Sequence, residues 1–352
     1  MTDRTPVTLD RNENRYGPAP ACREFLCHHA PDLLFNYPRS FQQGHYSVLA
    51  QRLSERHEVP EDRIILGYGA EDILKCVVHR YVAAGETILI PSASWWYYHA
   101  VASEVNGITR EYPLIEGPTS YRYDIEALLA LRDTLDVKLL LIASPNNPTG
   151  NSIDPGDLRR VLAHYRGIPI VLDQAYFGLT EDLSDEAGAL TREFPDLIVL
   201  RSFSKLYALA GVRIGYGIAG GRHEGLIKFC TRNLGYHRLS EALALIALES
   251  TDYYDGIRRA MASDRALLYA RLRAIEGVRV YDSNANFVLA RFPEAVIPAL
   301  DKHLKQRGFI IKFFKEPGFL DCARITLGTT EENRQLVTLM EEALPSLLAT
   351  VS

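Results

Sequence analysis

Short apolar runs at 64–66, 87–90, 138–142, 170–172, 198–200 and 212–214 constrain this chain most. Each is flanked by Gly, Pro or Asn and separated from the next by a stretch of helical periodicity. Runs without polar alternation are buried on both sides, so the alternation predicts a mostly parallel sheet covered by helices: a three-layer α/β/α domain. From about 240 to 272 the chain is rich in Ala, Leu and Arg, as one or two long helices would be. Past Gly277, strands are expected at 278–281, 286–289, 309–312 and 324–327, with helices near 294–307 and 330–349. This is an α+β texture. The expected fold is therefore α/β, with a large domain over 30–245 and a smaller α+β domain built from 1–29 and 246–352.

A length of 352 residues accommodates both domains, at about 150 residues per domain. The formal net charge of −5 gives no footprint for nucleic acid. Cys22, Cys27, Cys76, Cys230 and Cys322 form no zinc-ligand pattern, so no metal site is expected. No apolar stretch suits a signal peptide or a bilayer span, which argues for a cytoplasmic protein without a membrane partner.

The chemistry gathers where strands end. The run from Arg201 to Arg213 follows an apolar segment and contains Ser202, Ser204, Lys205 and Arg213. Ligands of open α/β sheets bind at the carboxyl ends of the strands. Hydroxyls with an arginine suit a phosphate, and a lysine amine suits a carbonyl. Pyridoxal 5'-phosphate carries both groups; an exposed basic loop would also account for this segment alone. Asp173 closes the run at 168–172, and Asn147 lies just after the strand expected at 137–143. A carboxylate can keep a pyridine nitrogen protonated, and Asn147 and Tyr176 can donate to a phenolic oxygen. Alone, Asp173 would equally serve as a helix N-cap, and Asn147 as a turn residue. Their order along the chain favours the cofactor.

These pieces, with Asn12 to Pro18, Tyr37-Pro38, Gly67 to Asp72, Ser144 to Gly150, Asp173 to Tyr176, Ser202 to Gly215 and Arg324 to Thr329, resemble the fold-type I pyridoxal-phosphate aminotransferases of class I/II. Within that family they look most like the branch of the histidinol-phosphate aminotransferases. The resemblance implies that Lys205 forms the Schiff base with pyridoxal 5'-phosphate. It implies that Asp173 pairs with the ring nitrogen, and that Asn147 and Tyr176 contact the phenolic oxygen. Ser202, Ser204, Arg213 and the backbone of Ala70 and Glu71 would hold the phosphate, the last two at a helix N-terminus. It further implies that Trp95 stacks on the ring and that Tyr37 reaches the phosphate of a neighbouring subunit, making a homodimer with shared sites. Arg324 would bind a substrate anion, with Lys312, Tyr16 and Asn147 also at the substrate.

The implied activity is amino transfer between an amino acid and a 2-oxo acid. A threonine-phosphate-type decarboxylase or an amino-acid oxidase would use the same cofactor residues, because bond choice depends on which bond stands perpendicular to the ring. A non-enzymatic regulator is not expected. Three departures from the branch bear on substrate. Lys312 stands where a second arginine is usual, and lysine is the poorer bidentate partner for phosphate. Gln174 replaces a glutamate. The run Ser94-Trp95-Trp96-Tyr97-Tyr98 is more aromatic than the usual segment; for Trp96, Tyr97 and Tyr98, core packing is the expected role.

Overall fold

In the computed structural model, which describes residues 5–39, 47–180 and 184–349, fourteen strands fall into three sheets. They are β1 (Val7–Leu9), β2 (Ile64–Gly67), β3 (Thr87–Pro91), β4 (Ile108–Tyr112), β5 (Leu114–Glu116), β6 (Tyr121–Tyr123) and β7 (Val137–Ala143). There follow β8 (Ile170–Asp173), β9 (Leu197–Ser202), β10 (Gly215–Ala219), β11 (Arg279–Tyr281), β12 (Phe287–Arg291), β13 (Phe309–Phe313) and β14 (Cys322–Thr326). The central sheet has the order β2-β10-β9-β8-β7-β3-β4. Only β10 breaks its parallel run, pairing antiparallel with both β2 and β9.

Alternate residues of the middle strands enter different cores. Leu140, Ile142, Leu172 and Val199 face one core, and Leu139, Leu141, Val171 and Ile198 face the other. A strand buried on both faces gains nothing from polar alternation, which is why these segments are continuously apolar. Helices Ala70–Tyr81 and Ala187–Glu193 are among those packed against this sheet. The second sheet has the order β1-β13-β14-β12-β11 and recruits the N-terminal strand β1 parallel to β13. Helix Ile297–Gln306 packs against β13, and helix Thr330–Ala349 packs against that helix. The α/β architecture with a smaller α+β unit is thus the observed fold. Among the described residues, no helix is long and apolar enough to cross a membrane.

One expected strand is not there. Residues 212–214 do not pair in the sheet; Ala210–Val212 is a 3-10 turn and Arg213 is left-handed, with φ 54°. The pairing strand starts at Gly215. Val212 and Ile214 are apolar because the turn packs on the core, where Ile214 is buried, and not because they extend a ladder. Sequence reading also passes over β1, β5 and β6, three residues each, and the exposed edge strand β4 with its polar Thr109, Arg110 and Glu111.

Candidate active site

The parallel neighbours β7, β8 and β9 end side by side, and the chemistry sits on those ends. Asp173 is the last residue of β8 and is buried. Its Oδ2 accepts from the Tyr98 hydroxyl at 2.8 Å, and its Oδ1 from the Ala175 N–H at 3.0 Å. Burial pushes the carboxyl's pKa up, while these two donors and the nearby Lys205 oppose the rise. Lys205 lies three residues beyond the end of β9. Its Nζ donates to the carbonyls of Arg11 and Asn12, each at 3.2 Å. The amine's pKa is pushed down to about 8, first by desolvation and then by the positive charge of Arg324, against the weaker pull of Glu13. With a pKa near 8, about a tenth of the amine is free at pH 7, against less than about a thousandth for an ordinary lysine.

The turn after β9 returns the chain over the start of helix Ala70–Tyr81. Gly69, with φ 88°, leads into that helix, and no side chain caps it. Its first N–H groups are therefore available to an anion. Arg213 stands over them: Nη2 donates to the Tyr68 carbonyl at 3.3 Å and lies 3.9 Å from the Glu71 carboxylate. Any Cβ on Gly69 would approach Arg213 Nη2 to 2.8 Å. Ser202 Oγ accepts from the Ser204 N–H at 3.0 Å, which holds both serines on one tight turn. Backbone donors and a guanidinium thus converge, beside the turn that carries both serines.

The second sheet closes the site from the other side. Arg324, on β14, donates through Nη1 to Asn147 Oδ1 and through Nη2 to the Asp10 carbonyl, both at 2.5 Å. Its Nε is buried and finds no partner among the described residues. Tyr176 accepts at its hydroxyl oxygen from Asn12 Nδ2 at 2.8 Å and packs edge-on against Phe287. Lys312 is the register partner of Arg324, and directly opposed residues of an antiparallel pair share a face. Its Nζ lies 5.5 Å from the Phe314 ring centre.

Three expected residues make no hydrogen bond to this cluster among the described residues. Tyr16 directs its hydroxyl to Asp264 at 2.5 Å and to Thr330 at 3.1 Å. Tyr37 is 69% exposed. Trp95 is half-buried and meets Tyr98 edge-on at 5.9 Å, one side chain away from Asp173. The sequence assigns Trp96, Tyr97 and Tyr98 to core packing; Trp96 is instead 63% exposed, and Tyr98 is buried but its hydroxyl also serves Asp173. The available signal was its spacing of three from Trp95 at a helix start. Asn12 opens the segment Asn12 to Pro18, and the sequence alone assigns it no role. Gln174 accepts from Arg201 Nε and Nη2 at 3.1 and 2.9 Å, while Asp185 supplies the carboxylate, accepting from Nη1 and Nη2 at 2.7 and 2.8 Å. A neutral residue at 174 is tolerated because the buried cation is paired from the other side.

An uncapped helix N-terminus under an arginine, a buried carboxylate, a depressed lysine and an orphaned guanidinium nitrogen fit the phosphate, ring nitrogen, carbonyl and substrate anion that pyridoxal phosphate chemistry brings together. Comparisons agree. The model of the family "Aminotransferase class I and II" matches residues 4–339. Histidinol-phosphate aminotransferase 2 of Archaeoglobus fulgidus is 31% identical over 344 residues, covering 97% of this chain and 94% of the relative. The histidinol-phosphate aminotransferase of Jannaschia sp. is 33% identical over 340 residues, covering 94% and 89%. The crystal structure of the Sinorhizobium meliloti histidinol-phosphate aminotransferase in complex with pyridoxal-5'-phosphate superposes with a TM-score of 0.83 at 25% identity, covering 99% of this chain and 92% of that one. With its fold, its strand-end residues and these relatives in agreement, the chain belongs to the class I and II aminotransferases, enzymes that depend on pyridoxal phosphate.

Proposed function

We propose that this aminotransferase binds its amino-acid and 2-oxo-acid substrates through a carboxylate clamped by Arg324, with Lys205 as the catalytic amine. One observation carries the reading: the buried Arg324 guanidinium, fixed by Asn147 and the Asp10 carbonyl, keeps its Nε unpaired close enough to Lys205 to depress that amine. A planar guanidinium with a free edge suits a carboxylate. When bound, pyridoxal phosphate supplies a carbonyl for the exchange of amines and a ring that takes up the electron pair left on the substrate carbon.

The chain's own residues do the rest. Asp173, kept dry and oriented by Tyr98, holds a proton at the ring nitrogen. Tyr176 and Asn147 donate to the ring oxygen. Ser202, Ser204, Arg213 and the N–H groups of Ala70 and Glu71 hold the phosphate, and Trp95 covers the ring. Lys205, once its amine is free, carries a proton to and from the substrate carbon, a task suited to a pKa near 8.

The homodimer belongs to this proposal. Leu34, Phe35, Tyr37, Tyr68 and Leu234 are exposed apolar residues. Their segments adjoin: Arg238 Nη1 donates to the Asn36 carbonyl at 3.5 Å, and Tyr68 packs against Tyr236. Such a patch beside the phosphate cradle suits a second copy of the chain, whose Tyr37 would reach across. The division into a large domain at 30–245 and a small one at 1–29 and 246–352 is supported by the two main sheets, drawn from 64–219 and from 7–9 with 279–326.

A second reading has its own support. Lys312 and Arg324 share one face, two cations at the place where a phosphate ester would need them, and the relatives bear the name of histidinol-phosphate aminotransferase. Screening amines for loss of the bound cofactor's visible absorbance separates the two. Under the carboxylate reading, amino acids bleach it and histidinol phosphate does not, and Lys312→Ala leaves KM within a few fold. If histidinol phosphate bleaches it and Lys312→Ala raises that KM by about tenfold, roughly the loss of one charged hydrogen bond, the phosphate reading replaces it. No bleaching by any amine contradicts both.

A further inference from the structure

Asn12 is the most heavily used residue of the N-terminal segment. It is 1% exposed and holds a left-handed backbone, with φ 56°, a conformation asparagine tolerates better than most residues. Its backbone N–H donates to Thr326 Oγ1 at 3.0 Å, and Thr326 Oγ1 returns a hydrogen bond to Asn12 Oδ1 at 3.1 Å. Its carbonyl accepts from Asn286 Nδ2 at 3.0 Å and from Lys205 Nζ at 3.2 Å. Its Nδ2 donates to the Tyr176 hydroxyl oxygen at 2.8 Å.

The polarity of the last bond follows from the others. The Thr326 hydroxyl accepts from the Asn12 N–H and gives its own proton to Oδ1, so the amide's oxygen end is committed and its NH2 end faces Tyr176. An amide NH2 can only donate. The phenol must therefore accept there, and its own proton is directed elsewhere.

We propose that Asn12 is a positioning residue that orients the Tyr176 hydroxyl as a donor toward the ring oxygen of bound pyridoxal phosphate. The proposal rests on Tyr176 standing beside that oxygen. A phenol donating to the oxygen stabilises its anionic form and so weakens the hold on the proton shared with the neighbouring nitrogen. Loss of the donation raises the pH at which the bound cofactor's visible absorbance titrates. The other charges around the phenol (Arg324, Asp173 and Lys205) are common to all the variants compared.

The test is a pH titration of that absorbance in the holoenzyme. Asn12→Asp keeps the shape and tolerates the backbone, but its carboxylate accepts the Tyr176 proton. Asn12→Gly frees the backbone and removes the amide without adding charge. We expect Asn12→Asp to raise the midpoint by about one pH unit, a tenfold change in the proton equilibrium, and Asn12→Gly by less. In a Tyr176→Phe background, which itself raises the midpoint, Asn12→Gly should add nothing. If Tyr176→Phe moves the midpoint and both Asn12 variants leave it at the wild-type value, Asn12 does not orient the phenol. An equal shift from Asn12→Gly with and without the phenol overturns the proposal too. An unmoved midpoint in Tyr176→Phe overturns the placement of Tyr176 and this proposal with it. Thr326→Val, which releases the amide to turn over, covers the case of Asn12 variants that do not fold: it should raise the midpoint, and no shift there counts against the orientation.

Discussion

At the scale of single residues, Lys205 and Arg324 are coupled by charge. Desolvation makes the larger part of the lysine's depressed pKa, and Arg324 is the next contributor. The sign is fixed: with a pKa near 8, the amine is an ammonium below that pH and free above it. In the cofactor-free protein, the rate of modification of Lys205 by a carbonyl reagent, followed by mass spectrometry, should therefore rise through a midpoint near pH 8. Arg324→Gln should move that midpoint upward, because a neighbouring cation no longer opposes protonation. A wild-type midpoint close to that of a free lysine, about 10.4, would show that the site does not perturb the amine. Lys205, Asp173 and Asn147 were legible in the sequence because each follows an apolar run, and Arg324 because it opens the segment Arg324 to Thr329 that carries part of the family resemblance. Tyr98 and Asn12 were not, since their importance lies in what they touch across 75 and 164 positions of chain.

At the scale of elements, the proposed phosphate cradle depends on how closely β10 approaches helix Ala70–Tyr81. A Cβ on Gly215 would lie 2.5 Å from the Ala70 nitrogen and 2.7 Å from the Gly69 carbonyl carbon, so backbone would have to yield. Gly215→Ala should push the helix N-terminus away from Arg213 and raise the cofactor's Kd by tenfold or more, equivalent to about 1.4 kcal/mol. Equilibrium dialysis of pyridoxal phosphate against the variant measures this, with circular dichroism confirming the fold. An unchanged Kd would mean that the helix can move without loss of its ligand. Here the limits of sequence reading are physical. Strands β7, β8 and β9 announce themselves because both their faces are buried. The 212–214 run misleads, because burial of a turn and burial of a strand leave the same apolar residues. The short β1 is invisible alone: its three residues become a strand only by pairing with β13, some 300 positions away.

At the scale of the whole molecule, the exposed Tyr37 and its apolar neighbours mean one of two things. Either Tyr37 is idle on its own subunit, or it completes the site of a second copy. Mixing two defective proteins decides this. Suppose Tyr37→Ala and Lys205→Ala are each purified, unfolded together, refolded at equal concentrations, and allowed to pair at random. Half the dimers are then mixed. If Tyr37 serves the partner's phosphate cradle, every mixed dimer has one site carrying both defects and one carrying neither. Roughly a quarter of all sites then regain wild-type function, as follows from two-fold symmetry. If Tyr37 acts within its own subunit, every site in a mixed dimer keeps one defect, and activity stays at the mean of the two parents. The assay is turnover per site after refolding, with the wild-type protein taken through the same cycle as reference. Recovery toward a quarter establishes the shared site. Activity no greater than the parental mean would show that Tyr37 serves no site but its own subunit's.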